Sequence, residues 1–206
     1  AMAAAVAAAF IPGATIESVV NIVIGLSKDG TRKAIADIAE LARDQKRRGA
    51  DHAALTDAFH EAVRRFSPMG DDVNHTAEKA GRVSDAYQPS RLNSIEELPL
   101  ALGFALFNDG AFRRSVEDGI NSGRDTDSIG VMAGAVLGAL HGESVIEADD
   151  LRLLDSANRL TLTESADRFA AAAAEIMTAD ARAAGLRASQ RETLLNTPMA
   201  PSQAAE

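Results

Sequence analysis

The chain has 206 residues, 46% of them hydrophobic but only 4% aromatic, and a formal charge of -9. That length suits one compact core, and the acidic balance argues against nucleic acid and anionic membranes as partners, since both need a basic face. Without cysteine, disulfides, thiolate metal sites and cysteine nucleophiles are excluded, and a cytoplasmic setting is the default expectation. Alanine carries much of the apolar share, which with so few aromatics predicts an all-α fold.

The first ten residues are nearly all small and apolar, lack the positive start of a secretion signal, and read as a helix packed on most sides up to the Pro12-Gly13 break. Thr15 stands at the N-cap position of a helix through Ile16, Val19, Val20 and Val23. Thr31 is placed to cap a helix over 32–48, with Ile35, Ile38, Ala39 and Leu41 facing inward. Arg43, Lys46, Arg47 and Arg48 suit its carbonyl end, and Gly49 stops it. Asp51 opens another helix, with Leu55, Ala58, Phe59 and Ala62 at helical spacing, closed by Ser67-Pro68.

Residues 67–93 are polar and turn-rich. Asp71-Asp72 reads as a turn there, and His75 as a surface or hydrogen-bonded histidine. His52, His60 and His141 show no partner pattern. Ser94 and Glu97 have the spacing of a capping box ahead of the apolar run 98–107, with Pro99 tolerated in the first turn. A helix over 111–120 follows Asn108-Asp109-Gly110. Further on, 151–160, capped by Asp149-Asp150, and 164–184 read as two more helices. The expected organisation is one domain over 1–184 and a flexible tail over 185–206, where Pro198 and Pro201 fall.

The chemistry concentrates in Asn121-Ser122-Gly123-Arg124-Asp125-Thr126-Asp127-Ser128-Ile129-Gly130, between two predicted helices. Asp125, Asp127 and the Ser128 hydroxyl place hard oxygens within one turn, the donor type that Mg²⁺ or Mn²⁺ takes. The same residues are also good caps for a helix beginning near Ile129, and spacing alone leaves both roles open. Downstream, Gly130, Gly134, Gly138 and Gly142 recur every fourth residue beside Ala133, Ala135 and Ala139, so one helix face has almost no side chain. The apolar stretch 129–140 falls short of the roughly 20 residues that span a bilayer, so close packing of a buried helix is expected.

The segment 121–142, N-S-G-R-D-T-D-S-I-G-V-M-A-G-A-V-L-G-A-L-H-G, resembles the late signature of the ADP-ribosylglycohydrolase family, Asn-x-Gly-Gly-Asp-Thr-Asp-Thr-Ile followed by a Gly/Ala-rich helix. The helix pair over 97–120, the alanine-rich first helix and the Pro12-Gly13-Ala14-Thr15 turn also resemble that family, and the likeness runs from residue 1 to about 180. The resemblance implies a compact orthogonal multi-helix domain with its N-terminal part absent. It also implies a centre of two divalent cations, Mg²⁺ or Mn²⁺, and hydrolysis of the glycosidic bond joining ADP-ribose to a protein side chain or small acceptor.

By position, the resemblance makes Asp125, Asp127 and Ser128 metal ligands, with Ser128 keeping the hydroxyl of the more usual Thr. Gly123 would admit ribose or phosphate close to the backbone, and Asn121 and Ser122 would support the substrate loop. Arg124 stands where the family has a second Gly and would bring a forked cation to the rim, for a phosphate, a substrate carboxylate or a neighbouring acid. The family's early Thr-Asp-Asp set and the acid near it have no counterpart before residue 121, so the catalytic base stays unassigned. A missing N-terminal segment or complementary chain is expected to dock on the Gly/Ala face and the loop. The alternative is a catalytically silent module of the same fold that binds ADP-ribose or a nucleotide. A helical scaffold that only pairs with partner helices would explain the alanine and glycine but not the clustered acids.

Overall fold

The computed structural model describes residues 1–66 and 96–197. Among these are nine α-helices, one short 3-10 turn and no strand, the all-α architecture that composition predicts. Asp71, Asp72, His75 and Ser94 lie outside the described residues.

Helix α1 (Met2–Ala9) buries Ala5, Ala8 and Ala9. Helix α2 (Ile16–Leu26) opens on a reciprocal cap, in which the Thr15 hydroxyl accepts from the Ser18 N–H at 3.1 Å and the Ser18 hydroxyl accepts from the Thr15 N–H at 2.9 Å. Helix α3 (Asp29–Arg48) begins earlier than the Thr31 cap predicts, with Lys28 as N-cap. It stops at Gly49, whose φ of 68° lets its N–H turn back to the Gln45 and Lys46 carbonyls. Asp51 caps helix α4 (His52–Val63) by accepting from the Ala54 N–H at 2.9 Å.

Helix α5 (Glu97–Phe107) is the axis of this part of the molecule. Leu98, Leu100, Ala101, Leu102, Phe104, Ala105 and Leu106 are all buried, so it is apolar on every side and packs against α2, α3, α6 (Phe112–Asn121) and α7 (Thr126–His141). Close approach requires Gly103: a Cβ there would stand 2.5 Å from Ile38 Cγ2 and 2.8 Å from Phe59 Cζ. Phe59 meets Phe104 edge to face, with centroids 5.0 Å apart. Glu96 is the N-cap of α5 and makes no side-chain cap bond; the expected Ser94–Glu97 capping box involves a residue outside those described.

Residues 1–146 form one compact unit. The second unit, from Glu147 onward, holds helices α8 (Ala148–Asn158) and α9 (Leu162–Asn196), joined by a turn in which Asp155 Oδ1 accepts from the Leu162 N–H at 3.0 Å. Asp149 and Asp150 lie in the first turn of α8, two and three residues after its N-cap Glu147. Helix α9 runs past Ala184 to Asn196, where the sequence reading began a flexible tail. Its second half is rich in alanine and arginine and contains only Gly185 as a weak breaker, so nothing ends the helix before Asn196. No helix among the described residues is long and apolar enough to cross a membrane.

Candidate metal centre

The acidic loop is the short link between α6 and α7. At its entry the Ser122 N–H bonds the Asp118 carbonyl at 3.0 Å, and the Ser122 hydroxyl donates to the Gly119 carbonyl at 2.7 Å, so this buried serine closes the end of α6. Asn121, the last residue of α6, is exposed. The chain then turns through two left-handed residues, Gly123 at φ 82° and Arg124 at φ 65°. At Gly123 this conformation is free of steric cost, and a Cβ there would meet no described atom within 4 Å, which leaves the backbone open to close approach.

At Arg124 the same conformation is strained, by on the order of 1–3 kcal/mol, and the side chain compensates. It folds inward and grips Glu96 with a fork, Nε to Oε1 at 3.0 Å and Nη2 to Oε2 at 2.8 Å, with both side chains 1% exposed. Arg124 is therefore not on the rim, where the sequence reading put it to meet a substrate phosphate or carboxylate. Of the two roles left open, pairing with an acid is the one the structure contains, and the pair is buried.

Asp125 occupies the N-cap position of α7, and its carbonyl accepts from the Ile129 N–H at 3.1 Å, yet its side chain makes no cap bond. The carboxyl instead hydrogen-bonds the side chain of Glu97 in the first turn of α5. Burial, followed by the bond and charge of Asp125 and then the charges of Glu96 and Asp127, pushes the Glu97 carboxyl up to about 8. Asp127 is exposed in the first turn of α7, and Ser128 beside it is half-buried. Asp125, Asp127 and Ser128 thus occupy the N-cap and the first turn of α7, and Glu97 lies against Asp125. Among the described residues no three His, Asp or Glu side chains converge as a complete cation cage.

Glu97 is the site residue that sequence reasoning missed. Its spacing from Ser94 offered a local role, whereas its actual partner is 28 residues further along. Two histidines, His52 and His141, serve as ties between elements. His52 Nε2 lies 3.1 Å from the Asp118 carbonyl, and His141 Nε2 lies 2.9 Å from the Gly110 carbonyl, so each Nε2 carries the proton and donates. Asn108 donates to Asp118 Oδ2 at 2.8 Å, which fixes the end of α5 to α6. His60 on α4 is held below the ordinary imidazole range, first by burial and then by the charge of Arg124.

Among the described residues the body that carries this loop is all-helical, with the loop set between two close-packed helices. The chain belongs to the ADP-ribosylglycohydrolase family, whose model matches residues 1–181 and so includes the whole of the loop. No curated protein and no solved structure matches the chain.

Proposed function

We propose that this chain carries one wall of a two-cation Mg²⁺ or Mn²⁺ site and hydrolyses the glycosidic bond between ADP-ribose and a protein side chain or small-molecule acceptor, in the cytoplasm. The observation that carries the reading is where the Asp125 carboxyl goes: at a helix start, where an acid normally accepts a backbone N–H, it makes no cap bond and meets the Glu97 carboxyl instead. Asp127 and Ser128 add a second carboxylate and a hydroxyl on the next two positions of the same turn, a donor set that suits hard cations.

A cation bound there would lower the pKa of its water and withdraw charge from the breaking bond. The chain's own residues do the rest. Ser122 closes the end of α6 so that the loop leaves it at one angle, and the bare backbone at Gly123 accepts the ribose or phosphate. Asn121, exposed beside it, contributes a side-chain amide to the substrate. Further ligands and the water-activating base come from outside the described residues, from an N-terminal segment or complementary chain that closes over the loop.

A silent ADP-ribose-binding module of the same fold is the competing reading, favoured by the incomplete cage among the described residues. The two separate on release of ADP-ribose from ADP-ribosylated arginine and serine peptides, followed by chromatography with Mn²⁺ or with chelator. The hydrolase reading expects Mn²⁺-dependent release that chelation abolishes. Binding of ADP-ribose in chelator, without release in Mn²⁺, would establish the silent module instead.

A further inference from the structure

We propose that the buried Glu96–Arg124 pair is the positioning device of the cation loop: it holds residue 124 in its left-handed backbone conformation and so sets where Asp125 and Asp127 present their carboxylates. This rests on the reading of the loop as a cation site.

Four residues other than glycine have positive φ among the described residues, Asp29, Asp109, Arg124 and Arg159, and only Arg124 is buried. The exposed three can relax with little consequence. Arg124 cannot, because its guanidinium is forked onto Glu96 by two bonds away from water. An arginine in a conformation suited to glycine is thus kept there by its side chain, and the backbone direction entering Asp125 follows from it.

The anchor is well chosen mechanically. Glu96 is the N-cap of α5, the helix buried on every side, and the next residue, Glu97, bonds Asp125. Two consecutive residues of the most buried helix therefore grip two consecutive residues of the loop in matching order, 96 to 124 and 97 to 125. A buried ion pair is poor evidence for stability, since apolar replacements often do as well. What it supplies that an apolar contact does not is a fixed direction, because both ends of the fork must be met at once.

The test compares the parent chain with Glu96→Gln/Arg124→Gln and with Arg124→Lys. The double variant removes both buried charges, leaves two amides of similar volume that can pair with each other, and takes away the charged fork that holds residue 124. The lysine variant keeps the charge and loses the fork. Mn²⁺ affinity is read by calorimetry, the symmetry of bound Mn²⁺ by electron paramagnetic resonance, and the metal-free thermal midpoint by circular dichroism. The expected result for both variants is a dissociation constant raised by about 10- to 100-fold, the cost typical of losing a group that orients a ligand, with broadened resonance lines. In the double variant the metal-free midpoint stays near that of the parent. Parent-like Mn²⁺ affinity in both variants would overturn the positioning role and leave the cation reading intact, whereas a parent chain that binds no Mn²⁺ would overturn both.

Discussion

A Cβ added to Gly119 would stand 2.9 Å from Ile129 Cγ2, so α6 and α7 touch backbone to side chain just where the acidic loop leaves one helix and enters the other. Ile129 is fully buried and has no free direction in which to retreat. Gly119→Ala should therefore push the two helices apart, destabilising the chain by about 1–3 kcal/mol, as overpacking does. Urea denaturation checks it; a variant as stable as the parent would mean that the helices are less tightly clamped than the geometry indicates.

The glycine stripe of α7 divides differently from the sequence expectation of a face approached closely along its length. Only Gly130 is crowded, with Ile120 Cγ1 at 3.0 Å from an added Cβ, whereas Gly134 and Gly138 would meet no described atom within 4 Å. Both lie inside a helix, so Gly134→Ala and Gly138→Ala should each stabilise the chain by about 0.5–1 kcal/mol through the lost freedom of the unfolded backbone. Thermal melts decide it. A drop in midpoint at Gly134 or Gly138 would reveal another body packed on that face.

His60 gives the chain a pH dependence with a definite sign. Its imidazole is held below the ordinary value of 6.5 by burial and by Arg124, against the opposing charges of Glu96 and Asp57. Below pH 6.5 the unfolded chain takes up a proton that the folded chain resists, so the stability this histidine contributes is present above 6.5 and is lost as pH falls through the depressed folded value. His60→Gln should accordingly lose less midpoint than the parent between pH 7.5 and pH 5.5, both measured in chelator. An unchanged pH slope would mean that this imidazole is not shielded.

Local chemistry was legible and long-range pairing was not. The Thr15 and Asp51 caps, the Gly49 stop and the all-apolar α5 could be read because each depends on neighbours within a few residues. The burial of Arg124 and the contact made by Glu97 could not be read for the opposite reason. Each looked locally complete, the arginine as a rim cation and the glutamate as half of a capping box, but their partners lie 28 residues away, brought together only when α5 packs beside the loop. The end of α9 was missed because an alanine-rich segment carries no strong stop before Asn196. The loop itself was found from spacing and family likeness, and the structure added that the Asp125 side chain does not cap α7.

The most direct test of the account is calorimetric titration of the chain with Mn²⁺ beside Asp125→Ala/Asp127→Ala. The account predicts saturable binding in the parent that is lost in the variant, with the two folded alike by circular dichroism. Equal binding in both would contradict it, because the cation would then be held by groups other than the loop acids, and no binding in the parent would contradict the claim that these acids hold a cation within this chain.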